Sequence, residues 1–123
     1  MSVTVTKTGG HTAQITWTPD DDPHGYLAAA VESDQLAYAL QSLGDTETGH
    51  STPTATPEQA LAATAATLSL ARLLERRAAV QVVVLKDGHD LTWRPMAEAL
   101  LGDASKQSSV RRMYDSGRRH LGR

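Results

Sequence analysis

The chain has no cysteine and no phenylalanine, and aromatic residues fill only 4% of its 123 positions. Without cysteine, disulfides, thiolate metal sites and cysteine nucleophiles are excluded, and a reducing compartment fits. Without phenylalanine, Ala, Leu and Val must build the core. An Ala-rich core favours closely packed helices, because Ala carries the best helix propensity. No uninterrupted apolar stretch approaches the roughly 20 residues needed to cross a bilayer. The opening MSVTVTKTGGHTAQ has no apolar run resembling a signal peptide. A soluble cytoplasmic protein is expected, of one-domain size with a modest core.

The formal net charge of −2 hides an asymmetry. Residues 1–50 set Lys7 against seven acidic residues, a net of −6. Residues 51–102 balance, and residues 103–123 set six basic against two acidic residues, a net of +4. Phosphates respond to a local field rather than to a whole-chain average, so the basic end keeps nucleic acid open as a partner. The acidic half suits a protein partner or the basic end of another copy.

SVTVTKT and TAQITWT alternate apolar and polar residues around Gly9-Gly10, the pattern of a two-stranded hairpin. A two-residue loop would set Val5 opposite Gln14 and mix the faces. A three-residue loop, Gly9 to His11, sets Val5 opposite Ile15 and Val3 opposite Trp17, giving one apolar face. TPDDDPHGY then ends the strand, with Asp22 as a cap and Pro23 at the first helical position. A helix is expected from about Tyr26 to Leu43, with Leu36, Leu40 and Leu43 on one stripe. GDTETGHSTPTATP reads as a loop or linker.

Thr56-Pro57-Glu58 is a helix start, with a hydroxyl cap, an early proline and an early carboxylate. The Ala/Leu-rich run after it should be helical through Arg77. Leu61, Ala65 and Leu68 would lie on one face and Leu70, Leu73 and Leu74 on an adjoining one, both buried. AVQVVVLKDGHDL is ambiguous. Its valines favour a strand, with Asp87-Gly88 as a turn, but it also continues the helix, with Gly88 as a stop. Helix is the preferred reading. The organisation expected is a hairpin plus helix over 1–43, a linker over 44–56 and a helical region over 57–123. The first part is too small to stand alone and must pack on the rest or on a second copy.

The stretch 92–114 is TWRPMAEALLGDASKQSSVRRMY. Thr92 can cap a helix whose apolar stripe is Trp93, Met96, Ala97 and Leu100, stopping near Gly102. Asp103 or Ser105 can cap a second helix with Val110, Met113 and Tyr114 inward and Arg111 and Arg112 pointing away from them. The second helix then presents Lys106, Gln107, Ser108 and Ser109 at its N-terminal end. Lys and Gln can address purine edges and Ser can donate to phosphate. The RRHLGR tail, with Arg118 and Arg119, can follow a phosphate backbone.

Here the chain resembles the helix-turn-helix regulators of high-GC bacteria, in which a phrase like TWREIAEALG precedes VSRQAV. TWRPMAEALLG and SKQSSV carry the resemblance, which covers about 70–115 and takes in LARLLERRAAV as the preceding helix. The connection in this chain is longer than in the family. The resemblance implies that Lys106, Gln107, Ser108 and Arg111 sit on a recognition helix. The fold expected is mostly α with a small N-terminal β-hairpin, ending in a helix-turn-helix. Candidate contacts to double-stranded DNA are Thr92, Arg94, Ser105, Lys106, Gln107, Ser108, Ser109, Arg111, Arg112, Arg118 and Arg119.

His11, His24, His50, His89 and His120 share no metal-ligand spacing. Ser116, Asp115 and His120 match hydrolase chemistry by residue type alone. No enzyme, metal or cofactor is expected. The leading expectation is a dimeric, sequence-specific transcriptional regulator. The alternatives are a protein-interaction module of antitoxin or accessory type, and a sequence-neutral DNA packaging or plasmid segregation protein.

Overall fold

The computed structural model describes residues 2–44 and 56–123. The chain is mostly helical, with one small antiparallel sheet near its N-terminus. It divides into two compact units, Met1–Thr67 and Leu68–Arg123. The segment 44–56, expected to be a linker, lies almost wholly outside the described residues, as does His50.

In the first unit, β1 (Thr4–Lys7) pairs with β2 (Ala13–Thr16), with Val5 opposite Ile15. The Thr8 N–H donates to Thr12 O at 3.0 Å, closing the loop of Gly9, Gly10 and His11. This is the register that keeps Val5 and Ile15 on one face. That face is not sealed, since Val5 is 69% exposed.

Two expectations about the next segment are corrected. Pro23 does not begin the helix. A turn over 23–25 intervenes, and α1 spans Tyr26–Glu32 behind Gly25 at φ 73°, a left-handed conformation that glycine adopts freely. Asp22 does satisfy the helix start, from further away than expected. Its carboxylate accepts from Leu27 N and Ala28 N, each at 2.9 Å. These backbone hydrogen bonds, Ala28 first, hold its carboxyl below the ordinary range.

Nor is 26–43 one helix. Ser33 is extended (φ −86°, ψ 172°), and its Oγ accepts from Gln35 N at 3.3 Å. A Ser-Asp pair offers the backbone local partners that compete with helix bonds, so α2 starts afresh at Gln35–Leu43. The expected Leu36–Leu40–Leu43 stripe is not a buried one, for Leu43 is 81% exposed. Among the described residues of this unit, Ala30 alone is buried.

The helix α3 runs over Pro57–Val83, with the unit division inside it. Its start is a reciprocal cap. Thr56 Oγ1 accepts from Gln59 N at 3.2 Å, and Gln59 Oε1 accepts from Thr56 N at 3.0 Å. The expectation that both leucine faces are buried is overturned, because Leu61, Leu68 and Leu74 are all exposed. Burial along α3 begins only at Ala79, Val82 and Val83.

The ambiguous valine run is helical. It ends in a wide π turn, Val84–Gly88, where His89 N donates to Val84 O at 3.2 Å and Leu91 N to Leu85 O at 3.1 Å. The last turn thus spends its carbonyls on amides further along than an α-helix would use.

Next come α4 (Trp93–Leu101) and α5 (Gln107–His120). Gly102 at φ 70° ends α4, donating to Glu98 O at 3.0 Å. The core of the second unit is the fully buried set Val82, Met96, Ala97 and Val110, rimmed by Leu85, Trp93, Leu101, Met113 and Tyr114. Leu101 takes the place expected for Leu100, which is 45% exposed. Gly117 is also buried. A Cβ at Gly117 would lie 2.6 Å from the backbone carbon of Ala79 and 2.8 Å from Val83 Cγ2, so α5 crosses α3 backbone against backbone at this point.

Candidate functional site

The second unit holds eleven basic against six acidic side chains, a net of +5, while the first holds one against eight, a net of −7. The largest share of the basic surplus lies on α5, where Arg111, Arg112, Arg118 and Arg119 stand against Asp115 alone, and the turn over 102–106 leads into that helix. Asp103 Oδ1 accepts from Ser105 N at 2.9 Å and from Ser105 Oγ at 2.6 Å. The hydroxyl of Ser105, then its N–H, hold the Asp103 carboxyl below the ordinary range.

This corrects the expected capping. Neither Asp103 nor Ser105 caps α5. Lys106 occupies the cap position, and no side chain closes the helix start. Thr92 likewise stands at the cap position of α4 without a side-chain capping bond. The start of α5 therefore keeps backbone N–H groups that no side chain of the cap covers, at the positive end of the helix dipole.

The candidate residues fall into distinct groups. Thr92, Arg94, Lys106 and Ser108 are exposed. Ser105, though exposed, is held by Asp103. Gln107 and Ser109 are half-buried, and Gln107 Nε2 donates back to Ala104 O at 3.5 Å. Arg111 is exposed, its guanidinium 5.4 Å from the centre of the Trp93 ring. Arg118 lies 5.7 Å from the Tyr114 ring centre, and Arg119 is exposed. Arg112 is exposed and also lines a groove beside α3. Asp115 shares the outward face of α5 with Arg111 and Arg119, one helical turn from each, and weakens the positive field toward the helix end.

Sequence reasoning missed Lys86. Its ammonium lies 5.0 Å from the Trp93 ring centre, so the π turn and α5 each bring a cation to the indole at the start of α4. Trp93 also meets Tyr114 edge-on, with ring centres 5.4 Å apart. Tyr114 Oη in turn donates to Asp87 Oδ1 at 2.8 Å, a bond that pushes the phenol above its ordinary pKa. Lys86 lies in the segment that reads as helix or hairpin turn, where nothing in the pattern points toward Trp93.

Among the described residues, no carboxylate pairs with Arg111 or Arg112 within 4 Å. Both guanidinium forks therefore remain open to phosphate or base edges. Among the same residues no group of His, Cys, Asp or Glu is placed to hold a metal ion, and no helix is long and apolar enough to cross a membrane. Comparison with protein-family models, curated proteins and solved structures finds no match to this chain.

Proposed function

We propose that this protein is a small cytoplasmic DNA-binding regulator that lays the first two turns of α5 in the major groove. One observation carries the reading. α5 buries Val110 and Gly117 on one side and exposes Ser108 and Arg111 on the other, beside an uncapped helix start. A reading helix needs its core contacts behind it and short polar or forked basic groups ahead of it.

Arg111 is positioned on Trp93 before any DNA arrives, which reduces the entropy lost when its fork engages a base or phosphate. Lys106, Lys86, Arg94 and the Arg118–Arg119 end supply phosphate contacts, which are salt-sensitive and carry no sequence information. A single module of this size buries little surface, so a homodimer on two half-sites is the functional form proposed.

The test is fluorescence anisotropy against a randomised duplex pool at two salt concentrations, with sequencing of the bound fraction, for the natural chain and for Arg111→Gln. Enrichment of a palindrome, lost in the variant, supports the reading. Salt-sensitive binding without enrichment supports packaging or segregation. Absence of binding at either salt sinks DNA altogether.

A second reading, a module that engages another protein, draws on the first unit. Its net charge of −7 and the exposed Leu40 and Leu43 on α2 suit a basic, partly apolar partner surface.

A further inference from the structure

Beside the outward face of α5, the second unit holds a groove of about 630 Å³ between α3 and α5. Its walls are two lines of polar side chains. α3 contributes Arg72 and Arg76, four residues apart and therefore on one helix face. α5 contributes Arg112, Ser116 and His120 at the same spacing. Between them lies an apolar strip of Ala79, Leu101 and Met113.

We infer that this groove binds a small organic phosphate monoester, whose phosphate meets the arginines and whose carbon body lies on the apolar strip. Three arginines line the groove against one acidic residue, Glu75, and among the described residues none of them is within ion-pair distance of it. Like charges four residues apart on a helix repel, and Arg112 adds a third from the facing wall. An oxyanion carrying two charges offsets that repulsion, and guanidinium forks match phosphate oxygens in pairs. Ser116 adds a hydroxyl donor on the same wall.

The groove has the volume of a small-molecule site. A duplex presents its phosphates on a convex surface, which suits the outward ridge of α5 and not a recess beside it. The apolar strip is the second requirement, because an inorganic anion would leave Leu101 and Met113 uncovered. This inference does not rest on DNA binding.

The probe is phenyl phosphate, titrated into the isotopically labelled full chain and followed by amide chemical shifts, without DNA present. Inorganic phosphate and sodium chloride at matched ionic strength are run in parallel. The expected result is saturating shifts at Arg76, Ala79 and Ser116, with phenyl phosphate at least tenfold tighter than inorganic phosphate. Arg76→Gln and, separately, Arg112→Gln should each weaken binding about tenfold while leaving the hairpin signals of Val5 and Ile15 unmoved. Shifts that sodium chloride reproduces, equal binding of inorganic phosphate, or binding retained in both variants would each overturn the inference. Because no duplex is present, failure here leaves the DNA reading untouched.

Discussion

Gly117 on α5 lies directly against the backbone carbonyl of Ala79 on α3, with no room for a methyl group between them. The obstruction is main chain, which cannot swing aside as a long side chain would. Adding a methylene's worth of volume to a packed contact of this kind costs about 1–3 kcal/mol. Gly117→Ala should therefore lower the urea midpoint at an unchanged slope, while Ser108→Ala on the opposite face should leave it in place. An unmoved midpoint for Gly117→Ala would mean that the two helices separate freely.

The core makes a sharper distinction. Met96 is fully buried among Val82, Ala97 and Val110, so Met96→Ala should cost about 2–5 kcal/mol. Leu101 packs on this cluster and Leu100 does not, so Leu101→Ala should destabilise the chain more than Leu100→Ala. Equal midpoints for those two variants would contradict the observed rotation of α4.

If Lys106 lies on a phosphate and Arg111 on a base edge, their variants should fail differently. Lys106→Gln should weaken binding to all duplexes alike and reduce the slope of log affinity against log salt by about 1. Arg111→Gln should cost about 1–3 kcal/mol on the preferred sequence and narrow its advantage over random DNA. Identical salt slopes and identical preferences in the two variants would show that neither role is assigned correctly.

Two carboxylates predict acid behaviour. Asp22 is held below its ordinary 3.8 chiefly by the Ala28 N–H, and Asp103 below its ordinary 3.8 chiefly by the Ser105 hydroxyl. A lowered folded pKa means that the unfolded chain takes up the proton first. Each contribution to stability is thus complete above pH 3.8 and lost as pH falls through the lower folded value. Amide signals of Leu27, Ala28 and Ser105 should hold steady down to about pH 4 and shift together with the carboxyls below it. Midpoints at or above 3.8 would remove both carboxylates from these turns.

The hairpin register was legible because alternation leaves a single loop length that keeps Val5 and Ile15 together. The α4–α5 pair was legible because Gly102 and the apolar positions mark its ends and its inner faces. Other features carry no comparable signal. The break at Ser33 depends on a side chain taking a backbone donor, and leucine spacing passes straight over it. The leucines of α3 satisfy a helical period whether or not anything covers them, so periodicity alone promised a burial that Leu61 and Leu74 do not have. Gly117 reads in sequence as a weak point in a helix, and its meaning lies in a carbonyl 38 residues upstream. Arg72 and Arg76 look like an ordinary solvated face until α5 is set beside them.

The buried glycine also divides the evolutionary freedom of α5. At position 117 even one added carbon meets the main chain of Ala79, so every other residue type costs stability there. Ser108, Arg111, Asp115 and Arg119 face outward and hold no part of the core. A lineage could rewrite those positions one at a time and change what the helix meets, without altering how it is mounted. Innovation in this chain would thus be expected to run along one stripe of one helix, beside a stripe that stays fixed.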